Sequence, residues 1–231
     1  MIDIHTHVLP LVDDGSKSVE SSIELVKEAV AQGVTHMFLT PHFRMTYKNS
    51  PKDLKQKFSD FVKKVKEQNI PIELYLGEEI YCYHSLERAL KDNKVISLNS
   101  SPYILIEFDY AKNREVDEII YDLTRLGYIP IVAHAERYNY STPFLLEELR
   151  NLGALIQVNS HSIVRSGFSR TGKKAREFLK EGLVDFVASD AHSFRTYTMK
   201  LAYDKVCKKY GKEVADNLFI NNAKKIIDYK N

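Results

Sequence analysis

Short apolar runs punctuate the chain at near-regular intervals. They fall at 2–5, 35–39, 72–76, 104–108, 129–133, 154–158 and 184–188. Most are apolar at consecutive positions and rich in Val, Ile, Leu, Phe and Tyr. That is the pattern of strands buried on both faces of a parallel sheet. Their starts lie 25 to 37 residues apart, the length of a strand, a crossover helix and two loops. Helical spacing fills the gaps. Ser18 to Gln32 carries Val19, Ile23, Val26, Ala29 and Val30 on one face and stops at Gly33. Pro51 to Gln68 presents Leu54, Phe58, Phe61, Val62 and Val65. Its lysines 52, 55, 57, 63, 64 and 66 lie mostly on the other faces and read as a solvated surface. Glu115 to Leu126, Phe144 to Leu152 and Arg170 to Glu181 repeat the pattern, with Gly127, Gly153 and Gly182 as stops. Two more helices are expected near 198–209 and 212–228. Repeated strand–helix units predict an α/β fold: a parallel sheet with helices outside, as a barrel or an open doubly wound sheet. There is no G-x-G-x-x-G and no P-loop, which weakens the nucleotide-binding open-sheet reading. No linker or repeat divides residues 1–231, so a single domain is the simplest account.

Composition narrows the class. The chain has 231 residues, 44% hydrophobic and 28% charged, with a formal net charge of +2. That balance argues against a protein whose main task is neutralising nucleic acid or a membrane surface. The first residues, Met1-Ile2-Asp3-Ile4-His5, show no signal-peptide pattern, and no apolar stretch is long enough for a stable membrane span. Cys82 and Cys207 form no C-x-x-C pair, which suits a reducing compartment. A cytoplasmic location is expected.

Chemistry gathers where the predicted strands end. His5-Thr6-His7 follows the first, Thr40-Pro41-His42 the second, and Gly77-Glu78-Glu79 the third. Glu107 sits in the fourth. Ala133-His134-Ala135-Glu136-Arg137, Asn159 and Ser189-Asp190-Ala191-His192 end the fifth, sixth and seventh. In α/β barrels the active site lies at this rim. Residues i and i+2 of an extended strand share a face, so His5 pairs with His7 and Asp190 with His192. Imidazoles and carboxylates in this number suit two or three ions such as Zn²⁺, Mn²⁺ or Fe²⁺, bridged by Glu79 or Glu107. A lone carboxylate in an apolar strand, as at Glu107, is costly without a partner. His36, His84 and His161 read as structural, with His161 bordering the site at most.

These same residues carry a resemblance. Asp3-Ile4-His5-Thr6-His7, Val12-Asp13-Asp14-Gly15, Thr40-Pro41-His42, Gly77-Glu78-Glu79-Ile80, Ile106-Glu107-Phe108, Ala133-His134-Ala135-Glu136-Arg137-Tyr138 and Ser189-Asp190-Ala191-His192 occur in order along the whole chain. Together they resemble the PHP (polymerase and histidinol phosphatase) superfamily. The resemblance is strongest to its bacterial manganese-dependent protein-tyrosine phosphatases of capsule and exopolysaccharide regulation. It implies a distorted, TIM-like (β/α)7 barrel and three divalent ions, commonly manganese, with iron, zinc or cobalt as other candidates. The implied ligands are His5, His7, His42, Glu79, Glu107, His134, Asp190 and His192. Arg137 is implied to hold the substrate phosphate, and Asp14 to orient water or protonate the leaving group. The implied partner is the phosphotyrosine tail of a bacterial tyrosine kinase. Members often carry an arginine five residues after the last histidine. Here that position is Tyr197, and Arg195 is the nearby candidate to replace it.

The chemistry expected is phosphomonoester hydrolysis, with a metal cluster acidifying a bound water. Arg44 is a further candidate for the phosphate or the substrate ring, against an ordinary surface role. The Tyr138-Asn139-Tyr140 run is a candidate for the rim of the site. Cys82 and Arg88 have the bare C-x5-R spacing, but the five residues between them, Tyr83-His84-Ser85-Leu86-Glu87, hold no glycine for a phosphate-cradling loop, so a cysteine phosphatase mechanism is not expected. The competing readings are a histidinol-phosphate-type small-molecule phosphatase, a nuclease, and a non-catalytic metal-binding regulator.

Overall fold

The computed structural model describes residues 1–44, 46–47, 49–82, 86–165 and 168–229. His84 lies outside them. Nine strands are described: β1 (Ile2–Asp3), β2 (His36–Leu39), β3 (His42–Phe43), β4 (Glu73–Leu76), β5 (Glu79–Tyr81), β6 (Tyr103–Glu107), β7 (Ile129–Val132), β8 (Leu155–Asn159) and β9 (Phe186–Ala188). One sheet runs β1-β2-β4 and the other β3-β5-β6-β7-β8-β9, all parallel.

The nine are seven strands, two of them broken. His36 pairs with Glu73 in β2 and β4, and His42 pairs with Glu79 in β3 and β5, so the register runs on unchanged across both breaks. Each break has a local cause. Pro41 brings no N–H to the ladder. At Gly77 a Cβ would stand 2.5 Å from Leu98 Cδ2, because the turn Leu98–Ser100 packs against both β4 and β6. The ring closes past the end of β1, where Thr6 forms a parallel bridge to Ala191. Asp190 N donates to His5 O at 2.9 Å and His7 N to Ala191 O at 2.9 Å. The expected seven-stranded barrel is therefore present in distorted form.

The helices are α1 (Val19–Ala31), α2 (Pro51–Glu67), α3 (Leu86–Lys91), α4 (Val116–Arg125), α5 (Pro143–Asn151), α6 (Ser160–Val164), α7 (Arg170–Lys180), α8 (Met199–Tyr210), α9 (Lys212–Asp216) and α10 (Asn222–Ile227). Serine and threonine cap four of them: the side chains of Ser18, Ser50, Thr142 and Ser169 accept from backbone N–H groups in the first turns. The expected run 212–228 is interrupted by a π-turn at Asn217–Asn221. Alternation along the strands builds two apolar layers. Ile2, Ile4, Phe38, Leu105, Ile131 and Phe186 fill the barrel and meet Ala223 and Ile226 of α10 at its floor. Ile104, Ile106, Val132, Ile156 and Val158 face the outer helices. With the floor plugged, the polar strand ends at the opposite rim are what the barrel presents.

Candidate metal centre

Each strand end delivers its side chain to one buried cluster. His5, His7, His134, Glu79, Glu107 and Asp190 are almost fully buried, and His42 and His192 nearly so. Four overlapping groups have donor atoms within 4.8 Å of one another: His7, Asp14, His42, His192; His5, His7, Asp190; His5, Glu79, His134; and His42, Glu79, Glu107. All eight expected ligands are thus brought together. Asp14 joins them, with Oδ1 3.4 Å from His42 Nε2 and 3.8 Å from His192 Nε2. Glu79 belongs to two groups. Its Oε1 is 2.7 Å from His134 Nε2 and its Oε2 is 2.8 Å from His42 Nδ1.

Hydrogen-bond bookkeeping tests whether cations fit. The carboxylate of Asp13 is 2.6 Å from His7 Nδ1, and the carbonyl of Asp190 is 2.9 Å from His192 Nδ1. Gln157 Oε1 accepts from His134 N at 2.8 Å and lies 3.1 Å from His5 Nδ1. These oxygens only accept, so the three Nδ1 atoms donate. Each ring then turns a bare Nε2 lone pair inward. His5 Nε2 and His7 Nε2 face each other at 3.3 Å. Two lone pairs at that distance repel unless a proton or metal ion lies between them. The buried Glu79 Oε2 and His42 Nδ1 face each other at 2.8 Å without the angles of a hydrogen bond. The donor set therefore fits divalent cations, held in place by outer partners in the manner of metalloenzyme sites.

Titration behaviour agrees. Burial alone would depress His7, yet Asp13 and Glu79 raise it well above the usual imidazole range. Burial would raise Asp190, but His5, His7, His134 and Arg195 hold it far below the carboxylate range. Burial and the neighbouring His7 push His192 down to about 4. Without metal, one proton held near His7 does part of a cation's work.

Guanidiniums guard the acidic rim. Arg137 donates to Asp190 Oδ2 at 3.2 Å and Arg195 to the same oxygen at 2.6 Å. Arg44 pairs with Glu107 and its Cζ lies 5.2 Å above the Tyr81 ring. Tyr197, at the position where an arginine is often found in the resembling family, does not face the site: it is buried, and its hydroxyl donates to Asp3 Oδ2 at 2.5 Å. Tyr138 is not on the rim either. It is buried, donates to Ala133 O and accepts from Phe108 N.

Strain also collects here. His134 (φ 34°) and Asp190 (φ 52°) adopt the left-handed region, which costs about 1 kcal/mol or more for a non-glycine residue. The turn at His134 starts the 3₁₀ segment Ala135–Arg137 and brings Arg137 back over the rim.

Sequence reasoning missed several supports. Gln157 Nε2 donates to Asn159 Oδ1 at 2.8 Å, and Asn159 Nδ2 to Asp190 Oδ2 at 2.9 Å. This amide chain links His5 to Asp190 across β8. Its signal was two polar residues at i and i+2 in an apolar strand. Tyr110 was also missed; its hydroxyl donates to Glu107 and Arg137 lies 4.6 Å above its ring. Glu78 points the opposite way from Glu79, accepts from Ile96 N at 2.6 Å, and is pushed up to about 8 by burial. Glu136 likewise turns aside, accepting from Asn159 N at 3.1 Å.

Comparison with known proteins extends the picture. The family described as "Capsular polysaccharide synthesis, CpsB/CapC" matches residues 1–228. The tyrosine-protein phosphatase CpsB of Streptococcus agalactiae serotype V is 35% identical, over 98% of both chains. The tyrosine-protein phosphatase YwqE of Bacillus subtilis is 36% identical, over 93% of this chain and 87% of its own. A structure from a study of YwqE and of Streptococcus pneumoniae CpsB, described as unique metal-dependent tyrosine phosphatases, superposes with a TM-score of 0.88. It is 34% identical and covers 93% of this chain and 90% of that one. The histidinol phosphate phosphatase of Lactococcus lactis shares the fold alone, at TM-score 0.59 and 12% identity.

Proposed function

We propose, for a chain that belongs to the CpsB/CapC family of capsular polysaccharide synthesis, that it is a metal-dependent protein-tyrosine phosphatase. The observation that carries this reading is the convergence of eight imidazole and carboxylate ligands with two guanidiniums on one buried rim. Relatives of nearly equal length are named tyrosine-protein phosphatases. The substrate in this reading is the phosphotyrosine tail of a bacterial tyrosine kinase that controls polysaccharide synthesis.

His5, His7, His42, Glu79, Glu107, His134, Asp190 and His192 would hold three divalent ions, manganese first among the candidates, with Asp14 at the edge. Bound there, such ions supply Lewis-acid charge that neutralises the phosphate and makes water acidic enough to attack at neutral pH. The protein's own groups do the rest. Arg137 and Arg195 share one Asp190 oxygen and offer paired N–H donors to a phosphate that takes its place. Arg44 does the same from the Glu107 side. Asp14, 52% exposed at the mouth, can pass a proton to the departing phenolic oxygen. Phe194, 68% exposed with its ring 5.1 Å from that of His192, and Tyr47, stacked on His42 at 5.9 Å, offer flat surfaces for a substrate ring.

The test is hydrolysis of a phosphotyrosine peptide, p-nitrophenyl phosphate and histidinol phosphate, with and without Mn²⁺, beside metal analysis. Metal-dependent turnover of the first two is expected. Preference for histidinol phosphate, or no turnover with metal bound, would overturn the reading.

A further inference from the structure

Two clefts lead away from the arginine side of the rim. The first, of about 490 Å³, is lined by Arg137, Arg195, His161 and Arg165 among others. The second, of about 530 Å³, has an apolar floor of Ile163, Leu179 and Val206. Its walls are Arg165, Arg176, Lys205, Lys208 and Lys209. Arg165, just past α6, belongs to both. No Asp or Glu lines either cleft among the described residues. Arg165, Lys208 and Lys209 are exposed and make no ion pair among the described residues. The acids of the same helices, Asp204 of α8, paired with Lys200 at 2.6 Å, and Glu177 of α7, do not line the clefts. In a chain of net charge +2, clefts lined by basic and no acidic side chains, starting at the phosphate-holding arginines, are a local concentration of positive charge. In the first cleft, His161 Nδ1 is buried without a partner, and burial lowers this imidazole to about 4, so a neutral polar nitrogen waits beside the guanidiniums.

We infer that this track is the docking groove for an acidic segment flanking the phosphotyrosine of the same substrate chain. The inference rests on the phosphatase reading. Charge complementarity selects an anionic occupant. Continuity with Arg137 and Arg195 selects one covalently attached to the phosphotyrosine, and the concave apolar floor suits a peptide better than a flat lipid surface. Acidic side chains would meet Arg165, Lys208 and Lys209 while apolar ones lie on Ile163 and Val206. Such contacts act on association and on KM more than on the chemical step.

The test uses two fluorescein-labelled phosphotyrosine peptides, one flanked by glutamates and one by serines, and their unphosphorylated forms. The proteins are the wild type, Arg165→Glu, and Lys208→Glu combined with Lys209→Glu; α8 buries Met199, Ala202 and Val206 instead. Within each protein the readout is the glutamate-to-serine ratio of kcat/KM. That ratio should be on the order of tenfold for the wild type at low salt, shrink with added salt, and fall near one in both variants. Anisotropy of the unphosphorylated glutamate peptide should show the same order, independent of catalysis. A ratio near one in the wild type, or equal ratios and equal anisotropy in all three proteins, overturns the groove while leaving the phosphatase reading intact. Absence of turnover of either peptide defeats the phosphatase reading, and anisotropy then decides the groove alone. Sedimentation with phosphatidylglycerol vesicles that depends on Lys208 and Lys209, without peptide discrimination, overturns the proposal in favour of a membrane surface.

Discussion

Tyr197 and Arg195, two residues apart, have different tasks. The Tyr197 hydroxyl is committed to Asp3, which also accepts from Ser189 N at 3.0 Å. Asp3 is fully buried and burial raises its pKa, so loss of that donor leaves a carboxyl less well satisfied. Arg195, two residues earlier, reaches the rim that Tyr197 does not. The two side chains therefore predict opposite signatures. Arg195→Ala should lower kcat/KM for p-nitrophenyl phosphate by about 10- to 100-fold, the value of a charge-assisted hydrogen bond. Its melting temperature should change little. Tyr197→Phe should cost about 1–3 kcal/mol of stability, or roughly 2–4 °C per kcal/mol in a chain of this size, with KM nearly intact. Thermal melts beside steady-state kinetics separate them; a large KM effect in Tyr197→Phe would assign the phosphate contact to the tyrosine.

Elements decide which parts of this centre a reader of the sequence can see. Strands apolar on both faces were legible because period and composition report burial directly, and the ligands were legible because they end those strands. The breaks at Pro41 and Gly77 were not, since the second depends on Leu98, twenty-one residues away in sequence. The short helices α3 and α6 hold too few residues for a periodic signal. Asn159 was visible as the polar end of its strand, but its role and that of Gln157 were hidden for another reason: they exist only once β8 stands beside β7 and the Asp190 turn. The loop after β1 shows how tightly such an element can be specified. Gly15 lies so close to His7 that an added Cβ would stand 2.1 Å from His7 O and 2.5 Å from His7 Cβ. The same loop carries Asp13, whose carboxylate accepts from Gly15 N at 2.9 Å and orients His7. Backbone and Cβ cannot yield as a flexible side-chain tip does, so Gly15→Ala must move the loop off His7. Expected are a 10- to 100-fold loss of metal affinity, as for other outer partners of metal ligands, and matching loss of turnover, with the barrel still folded by circular dichroism. Unchanged metal binding in this variant would show that Asp13 is not needed to hold His7.

For the whole molecule, the charge balance acquires a different meaning. Among the described residues no helix is long and apolar enough to cross a membrane, and the net charge of +2 looks neutral. Yet the rim buries Glu79, Glu107 and Asp190 beside five imidazoles that mostly present lone pairs. The ledger is completed by cations that the residue sum omits. Ions that bind the folded chain and not the unfolded one stabilise it by mass action, about 2.7 kcal/mol at a hundredfold excess over Kd. Mn²⁺ should therefore raise the melting temperature and EDTA should reverse the gain and abolish turnover. Iodoacetamide should leave turnover intact, because burial pushes the Cys82 thiol far above the range in which a thiolate forms. The gain should also depend on pH, with a definite sign. His7 in the metal-free fold keeps its proton well above the usual imidazole pKa, so an entering cation must expel it. As pH falls, that proton is held more firmly and metal affinity drops. The Mn²⁺-induced shift should accordingly be larger at pH 8 than at pH 6. A shift independent of pH, or one larger in acid, would mean that the bound ion does not displace the proton at His7.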